Sequence, residues 1–379
     1  MDARDDEGED GVSAYRTIRV TTPDSPVAEL ADVEAWKARK KYPSMVFAGG
    51  PVFGVARERE SGGWELHPHF AGLAPQDARD GLGAHFRQLA QAAAEEGDDE
   101  ARTVYLAAGE RLDWEPLDEL TVRGERYRVV RAERFVRMGP DGPEPPRATD
   151  PDPGRSDAAR TSYDPAGGLV VDPLDPSAPA RTGRVSEGVL RAELLTALRK
   201  NGSVPSDVRH DSRKAARTHP GGVLLPATFM TAEREGGRWQ PDPAGTAATP
   251  QAARDGLAMH LRVMVPWQTD LDADECEVYL RAADRIDTEH CDELDVAGRH
   301  FRVVRVERLL RIGPDGPEGP RPSDPDPIPP VMVHEQQIGE QGVPVDEEED
   351  EEPDERMEKF MELFDEGRRR RAALQRGRP

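Results

Sequence analysis

Residues 121–144 read TVRGERYRVVRAERFVRMGPDGPE, and residues 295–318 read DVAGRHFRVVRVERLLRIGPDGPE. Each string is a short run, a glycine turn and a longer run rich in Val, Tyr, Phe and Leu, the pattern of a tight hairpin with one long strand. Outward from these strings the match widens. The 43 positions of 105–147 align with 279–321 with 26 identities, and 75–87 keeps 9 of 13 residues against 250–262. The chain contains one unit twice, so each copy samples what the fold requires.

The boundaries follow from composition. Copy one spans 14–138 and copy two 184–327. Residues 139–183, rich in Asp, Pro, Ala and Gly, bury too little apolar surface to order themselves and are expected to be a linker. Residues 328–379 form an acidic, then basic tail with a short amphipathic helix. Within copy one, Val27, Leu30, Val33 and Trp36 are spaced as the inner face of a helix over 26–41. Its expected counterpart is 186–200, with Ser186 as N-cap.

Short strands follow at 45–48, 52–60 and 64–70, matched by 223–225, 227–235 and Trp239. A core-facing helix then starts at Pro75 or Pro250 and is shorter in copy two, which meets Pro266. Its repeated glycine, Gly81 or Gly256, costs about 1 kcal/mol against alanine and predicts that another element packs close there. A short helical segment surrounds Tyr105 and Tyr279. Connections this short exclude crossovers, so the strands pair antiparallel. The expected fold is α+β, two homologous modules in tandem, each with antiparallel strands packed by helices, with a disordered linker and C-terminal tail.

The 379 residues carry 74 Asp and Glu against 51 Lys and Arg, a net charge of -23. That far field repels phosphate and argues against nonspecific binding to DNA or anionic membranes by the whole chain. No run approaches the roughly 18 apolar residues of a membrane helix, and residues 1–11 are acidic where a signal peptide is basic, then apolar. A cytoplasmic location is expected. Cys276 and Cys291 occur only in copy two, opposite Arg102 and Leu117. A disulfide or metal site essential to the module would recur, so neither is expected.

The sequences RFVRMGPDGPE at 134–144 and RLLRIGPDGPE at 308–318 resemble those of an uncharacterised family of tandem proteins from high-GC actinobacteria. The resemblance covers roughly residues 14–330. It implies lineage and a cytosolic setting, and it implies no activity, cofactor or catalytic residue.

Four arginine pairs recur in the long strands: Arg128 and Arg302, Arg131 and Arg305, Arg134 and Arg308, Arg137 and Arg311. Interleaved with Tyr127, Phe135 and Phe301, such guanidiniums suit phosphate, carboxylate or single-stranded nucleic acid. The competing reading is structural, with arginine stems covering apolar surface and heads paired to acids across the sheet. Glu133 and Glu307 recur between them.

His85 and His260 recur after Asp80 and Asp255, but five residues apart on a helix an acid and a histidine do not share a face. No repeated nucleophile or second repeated histidine completes a catalytic or metal site. His67 and His69 share a strand face in copy one only. In the tail, Met357, Phe360, Met361 and Phe364 line one side of a helix before Arg368 to Arg371, the form of a partner-binding segment or of a helix docked on its own acidic body.

These residues predict a noncatalytic binding or scaffold protein, a monomer with an internal pseudo-twofold, without metal or cofactor, its tail meeting a protein partner. The rivals are nucleic-acid or anionic-ligand binding through the arginines, and an enzyme with its site near His85 or His260.

Overall fold

The computed structural model describes residues 26–68, 70–152, 166–172, 185–199, 204–241, 245–269, 271–340 and 355–376. The first half runs α1 (Pro26–Lys41), β1 (Ser44–Phe47), β2 (Val52–Glu58), β3 (Trp64–Leu66), α2 (Pro75–Glu96), α3 (Asp99–Trp114), β4 (Glu119–Val122), β5 (Glu125–Gly139) and β6 (Gly142–Pro143), followed by β7 (Val170–Val171). The second half runs α4 (Val185–Thr196), α5 (Ser206–Thr218), β8 (Gly221–Glu235), β9 (Arg238–Pro241), α6 (Pro250–Met259), a π-helical turn (His260–Met264), α7 (Val265–Gln268), α8 (Ala273–Glu289), β10 (Glu293–Val296), β11 (Arg299–Gly313) and β12 (Gly316–Pro317). Two further helices close it, α9 (Val331–Glu340) and α10 (Glu355–Arg376). The fold is α+β, and its described strands pair antiparallel.

The twelve described strands make a single sheet with the backbone order β7-β3-β2-β5-β11-β8-β9. At its centre the two long strands pair with each other, Phe135 opposite Glu307, Arg134 opposite Arg308 and Glu133 opposite Leu309. Arg134 and Arg308 are aligned positions of the two copies. Each long strand begins at a two-residue turn, Arg123-Gly124 or Ala297-Gly298, with all four φ positive at 51°, 85°, 51° and 77°. This is the twist-matching hairpin turn the sequence predicts.

Helices cover one face near each end of the sheet. Phe86, Leu82 and Leu112 of α2 and α3 pack on Tyr127 and Val129, and Leu257, Leu261, Ala283 and Ile286 of α6, the π turn and α8 pack around Phe301. Between them α4 sets Leu190 and Leu194 against Phe135 and Leu309. The opposite face buries Val130 and Ala132 with Trp64 and Phe70, and Val304 and Val306 with Met230 and Ala232.

Several expectations are corrected. α1 forms over the expected residues, but Val27, Leu30 and Val33 are exposed and the helix buries Ala31 and Ala38 instead. Its polar side is consumed by α4 and the segment after β6: Asp32 accepts from the Ser186 backbone at 2.8 Å, Arg39 pairs with Glu193, and Glu34 accepts from Thr149. Ser186 therefore lies inside a helix rather than capping one. The counterpart of α1 is α5, because the end of α1 packs on Gly139 as the end of α5 packs on Gly313. Gly81 and Gly256 are exposed, with nothing near a would-be Cβ. The close approach lies instead at buried Gly83 and Gly109, where a Cβ on Gly109 would sit 3.5 Å from the Gly83 carbonyl.

The segments around Tyr105 and Tyr279 are full helices of 16 and 17 residues. Part of the expected linker is folded: 139–152 runs through β6 into the second half, and β7 pairs with β3. The remainder, 153–165 and 173–184, lies outside the described residues, as do His69 and tail residues 341–354.

Candidate functional site

After each long strand the GPDGPE turn carries the chain across to the other half, where Arg128, Arg131, Arg302 and Arg305 receive it. Arg302 donates to the Pro143 carbonyl at 2.8 Å, and Arg128 donates to the Pro317 carbonyl at 3.1 Å. Each guanidinium stacks on a tryptophan of its own half, Arg128 on Trp64 at 4.7 Å and Arg302 on Trp239 at 4.8 Å. The indoles in turn press on the crossing turns. Gly316 (φ 105°) lies against Trp64 and Gly142 (φ 115°) against Trp239, where a Cβ would collide with the ring nitrogen. Positive φ and lack of space both require glycine there.

Further along each arm, the backbone amide of Arg131 donates to the Glu318 carbonyl and that of Arg305 to the Glu144 carbonyl, both at 2.9 Å. Two buried ionic networks result. In one, Arg131 pairs with Asp324 at 2.8 Å and Glu133 at 2.9 Å, and Arg321 joins Glu133 at 2.9 Å to Glu318 at 2.7 Å. In the other, Arg305 pairs with Asp150 at 2.9 Å and with Glu307, while Arg147 joins Glu144 at 2.7 Å. Burial pushes the Glu133 carboxyl up, but Arg131, Arg321 and Arg199 outweigh it and hold the group down at about 2.

The arms end on helix N-termini. Asp326 accepts from the Gln76 backbone at 3.1 Å and pairs with Arg79, while Asp152 accepts from the Gln251 backbone at 2.8 Å and pairs with Arg254. A carboxylate at the positive end of a helix is stabilising, so each arm caps the core-facing helix of the other half.

The remaining arginines serve the sheet. Arg134 donates to the Gly50 carbonyl at 2.9 Å and Arg308 to those of Pro226 and Phe70 at 3.0 Å. Gly50 and Pro226 lie where β1 breaks from β2 and where β8 slips register against β11. Proline offers no N–H there, so the chain bulges and arginine takes up the freed carbonyl. Arg137 pairs with Glu193 at 3.3 Å, and Arg311 donates to the Leu195 carbonyl at 2.8 Å. All eight predicted arginines are thus engaged inside the molecule, with Arg131 2% exposed and Arg308 1% exposed.

The predicted histidines lie elsewhere. His85 meets His67 edge to face, ring centroids 4.6 Å apart, beside Tyr127. Tyr127 donates to Glu125 at 2.8 Å, and Arg57 bridges Glu125 and Glu65 at 3.1 and 3.0 Å. Burial, then His85 and Arg57, push His67 down to about 4, and burial and Arg57 lower His85, so both imidazoles are neutral at pH 7. An open groove next to them is lined by Arg57, Glu58, Arg59, Glu60, Ser61 and Glu125, without either histidine. His260 packs 6.3 Å from Phe301, in place of a tyrosine. Asp80 accepts from Gln76 rather than from His85. Among the described residues no group of three or more His, Cys, Asp or Glu is placed to hold a metal ion.

The tail helix α10 lies on the second half. Phe360 packs edge-on to Trp267 at 5.4 Å and 6.2 Å from Phe364, while Met357 and Met361 are about half exposed. Arg370 and Arg371 pair with Asp284 and Asp287 of α8. No helix of the described residues is long and apolar enough to cross a membrane.

The acids of the arms, Glu144, Asp150 and Asp152 with Glu318, Asp324 and Asp326, escape a reading that stops at the strand. A signal for them exists, because the repeat continues as PRATDPDP at 146–153 and PRPSDPDP at 320–327. No curated protein and no solved structure is detectably similar to the chain. A family model does match, across residues 25–327, ending where the second arm ends. The chain therefore belongs to DUF5954, a family of unknown function.

Proposed function

We propose that the chain is a noncatalytic cytosolic binding or scaffold protein of actinobacterial lineage, a tandem repeat folded as a monomeric pseudo-dimer. The reciprocal crossing of the two arms carries the reading. Positions invested in that exchange are those shared by the two copies, whereas His67 and the docked tail, which the copies do not share, lie outside it. A fold that spends its repeated charged residues on holding two halves together is built for rigidity and presentation of surfaces. The arginine strands lend a nucleic-acid site no support, since their guanidiniums are buried. The groove beside the histidine corner is lined by neither His67 nor His85, which weakens the enzyme reading.

Quantitative affinity purification from a native host tests the proposal. A stoichiometric protein partner is expected, retained by a His67→Gln/His85→Gln variant. A chain that keeps no partner but converts a small molecule, with turnover abolished by the same variant, would overturn it.

A further inference from the structure

The second half is built differently where α10 sits. In the first half α2 continues for 22 residues, whereas α6 is followed by the π turn and α7 ends at Gln268. Pro266 supplies no N–H to the helix ladder, and the π turn stands just before it. α10 packs against the π turn, α7 and α8. Buried Gly367 rests on the Arg262 side chain, whose guanidinium pairs with Asp284 at 3.1 Å and Asp287 at 2.7 Å. At one end of α10 the Trp267 indole donates to the Arg356 carbonyl at 3.0 Å and carries the Arg356 guanidinium at 4.8 Å. At the other, Arg370 reaches Glu277 at 3.1 Å and Asp284 at 2.7 Å, and Arg371 reaches Asp287 at 3.1 Å and Asp255.

Beneath α10 lies a face of one indole and four carboxylates. Its chemistry selects a helix with an aromatic anchor followed, three turns on, by adjacent arginines. The bond between them is soft. Its outer ion pairs are partly exposed and screened by salt, and Met357 and Met361 are only half covered.

We propose that the face formed by Asp255, Trp267, Glu277, Asp284 and Asp287 is a binding site for basic amphipathic helices of partner proteins, occupied in cis by α10 as a salt-sensitive autoinhibitory latch. The proposal rests on the binding-protein reading above and names its site. A tethered helix acts at an effective concentration of order mM, so against a free helix of ~10 μM affinity it masks the site ~100-fold.

The probe is a labelled synthetic peptide of residues 355–376, titrated into the full chain and into a full-length Arg370→Glu/Arg371→Glu variant. The variant is expected to bind the peptide ~100-fold more tightly than the unaltered chain, less so at high salt, and to lose it when Asp255→Lys/Glu277→Lys is added. Equal affinity for both chains, or no binding by a variant whose thermal unfolding is unchanged, overturns the latch. Should the variant fail to fold, hydrogen exchange on the unaltered chain decides. Protection of 355–376 must fall with added salt while β5 and β11 stay protected; a helix as protected as β5 at every salt concentration sinks the idea. Neither arm of the test touches the crossing arms, so the latch and the pseudo-dimer reading fail separately.

Discussion

At Glu133 three guanidiniums, those of Arg131, Arg321 and Arg199, converge on one buried carboxylate. Neutralising it takes from Arg199 its carboxylate and leaves Arg131 and Arg321 with Asp324 and Glu318 alone, so Glu133→Gln is expected to cost about 3 kcal/mol, read from the urea midpoint. The folded carboxyl titrates near 2 against 4.5 for the free group, so its contribution is present above pH 4.5 and is lost as pH falls toward 2. His67 shifts the same way. With a folded value about 4 against 6.5, the unfolded chain binds the proton first, and stability declines as pH falls from 6.5 to 4. The loss is at most about 3 kcal/mol, nearer 2 after solvent screening. Thermal unfolding of His67→Gln is therefore expected to be flatter than that of the parent between pH 6.5 and 4; an unchanged slope refutes the assignment. At Gly142 and Gly316, alanine meets both positive φ and an indole, and each substitution is expected to lower stability by about 1–3 kcal/mol.

Among the elements, the hairpins were the most legible because their alternation, turn residues and terminating GPDGPE act locally. α2 and the early end of the second helix stack were legible for the same reason, from Pro75, Pro250 and Pro266. The face of α1 was not. Spacing three marks Val27, Leu30 and Val33 as inner, yet the charged partners Asp32, Glu34 and Arg39 bind α4 and the crossing segment, and tertiary pairing overrides the apolar stripe. The arms escaped because Pro- and Asp-rich chain buries little apolar surface. Their order comes from specific acids meeting buried arginines far away in sequence, which composition cannot register. The caps they supply are testable: Asp326→Ala or Asp152→Ala should each cost about 1–2 kcal/mol in urea unfolding, with similar effects because Arg79 and Arg254 lose the same partner.

Across the whole molecule, one sheet joins both halves through the β5–β11 pair, and the arms close the join from each side. A net charge of -23 opposes compaction, yet the interior networks keep opposite charges adjacent where screening is weakest. Each half is completed by the arm of the other. The direct measurement uses the full chain with a protease site placed within 153–165, cut under native conditions and examined by sedimentation and native mass spectrometry. The cut chain is predicted to stay one particle of the full 41.8 kDa mass, and to separate only as it unfolds in denaturant. Two separate, folded particles of roughly half that mass each, appearing without denaturant, would contradict it.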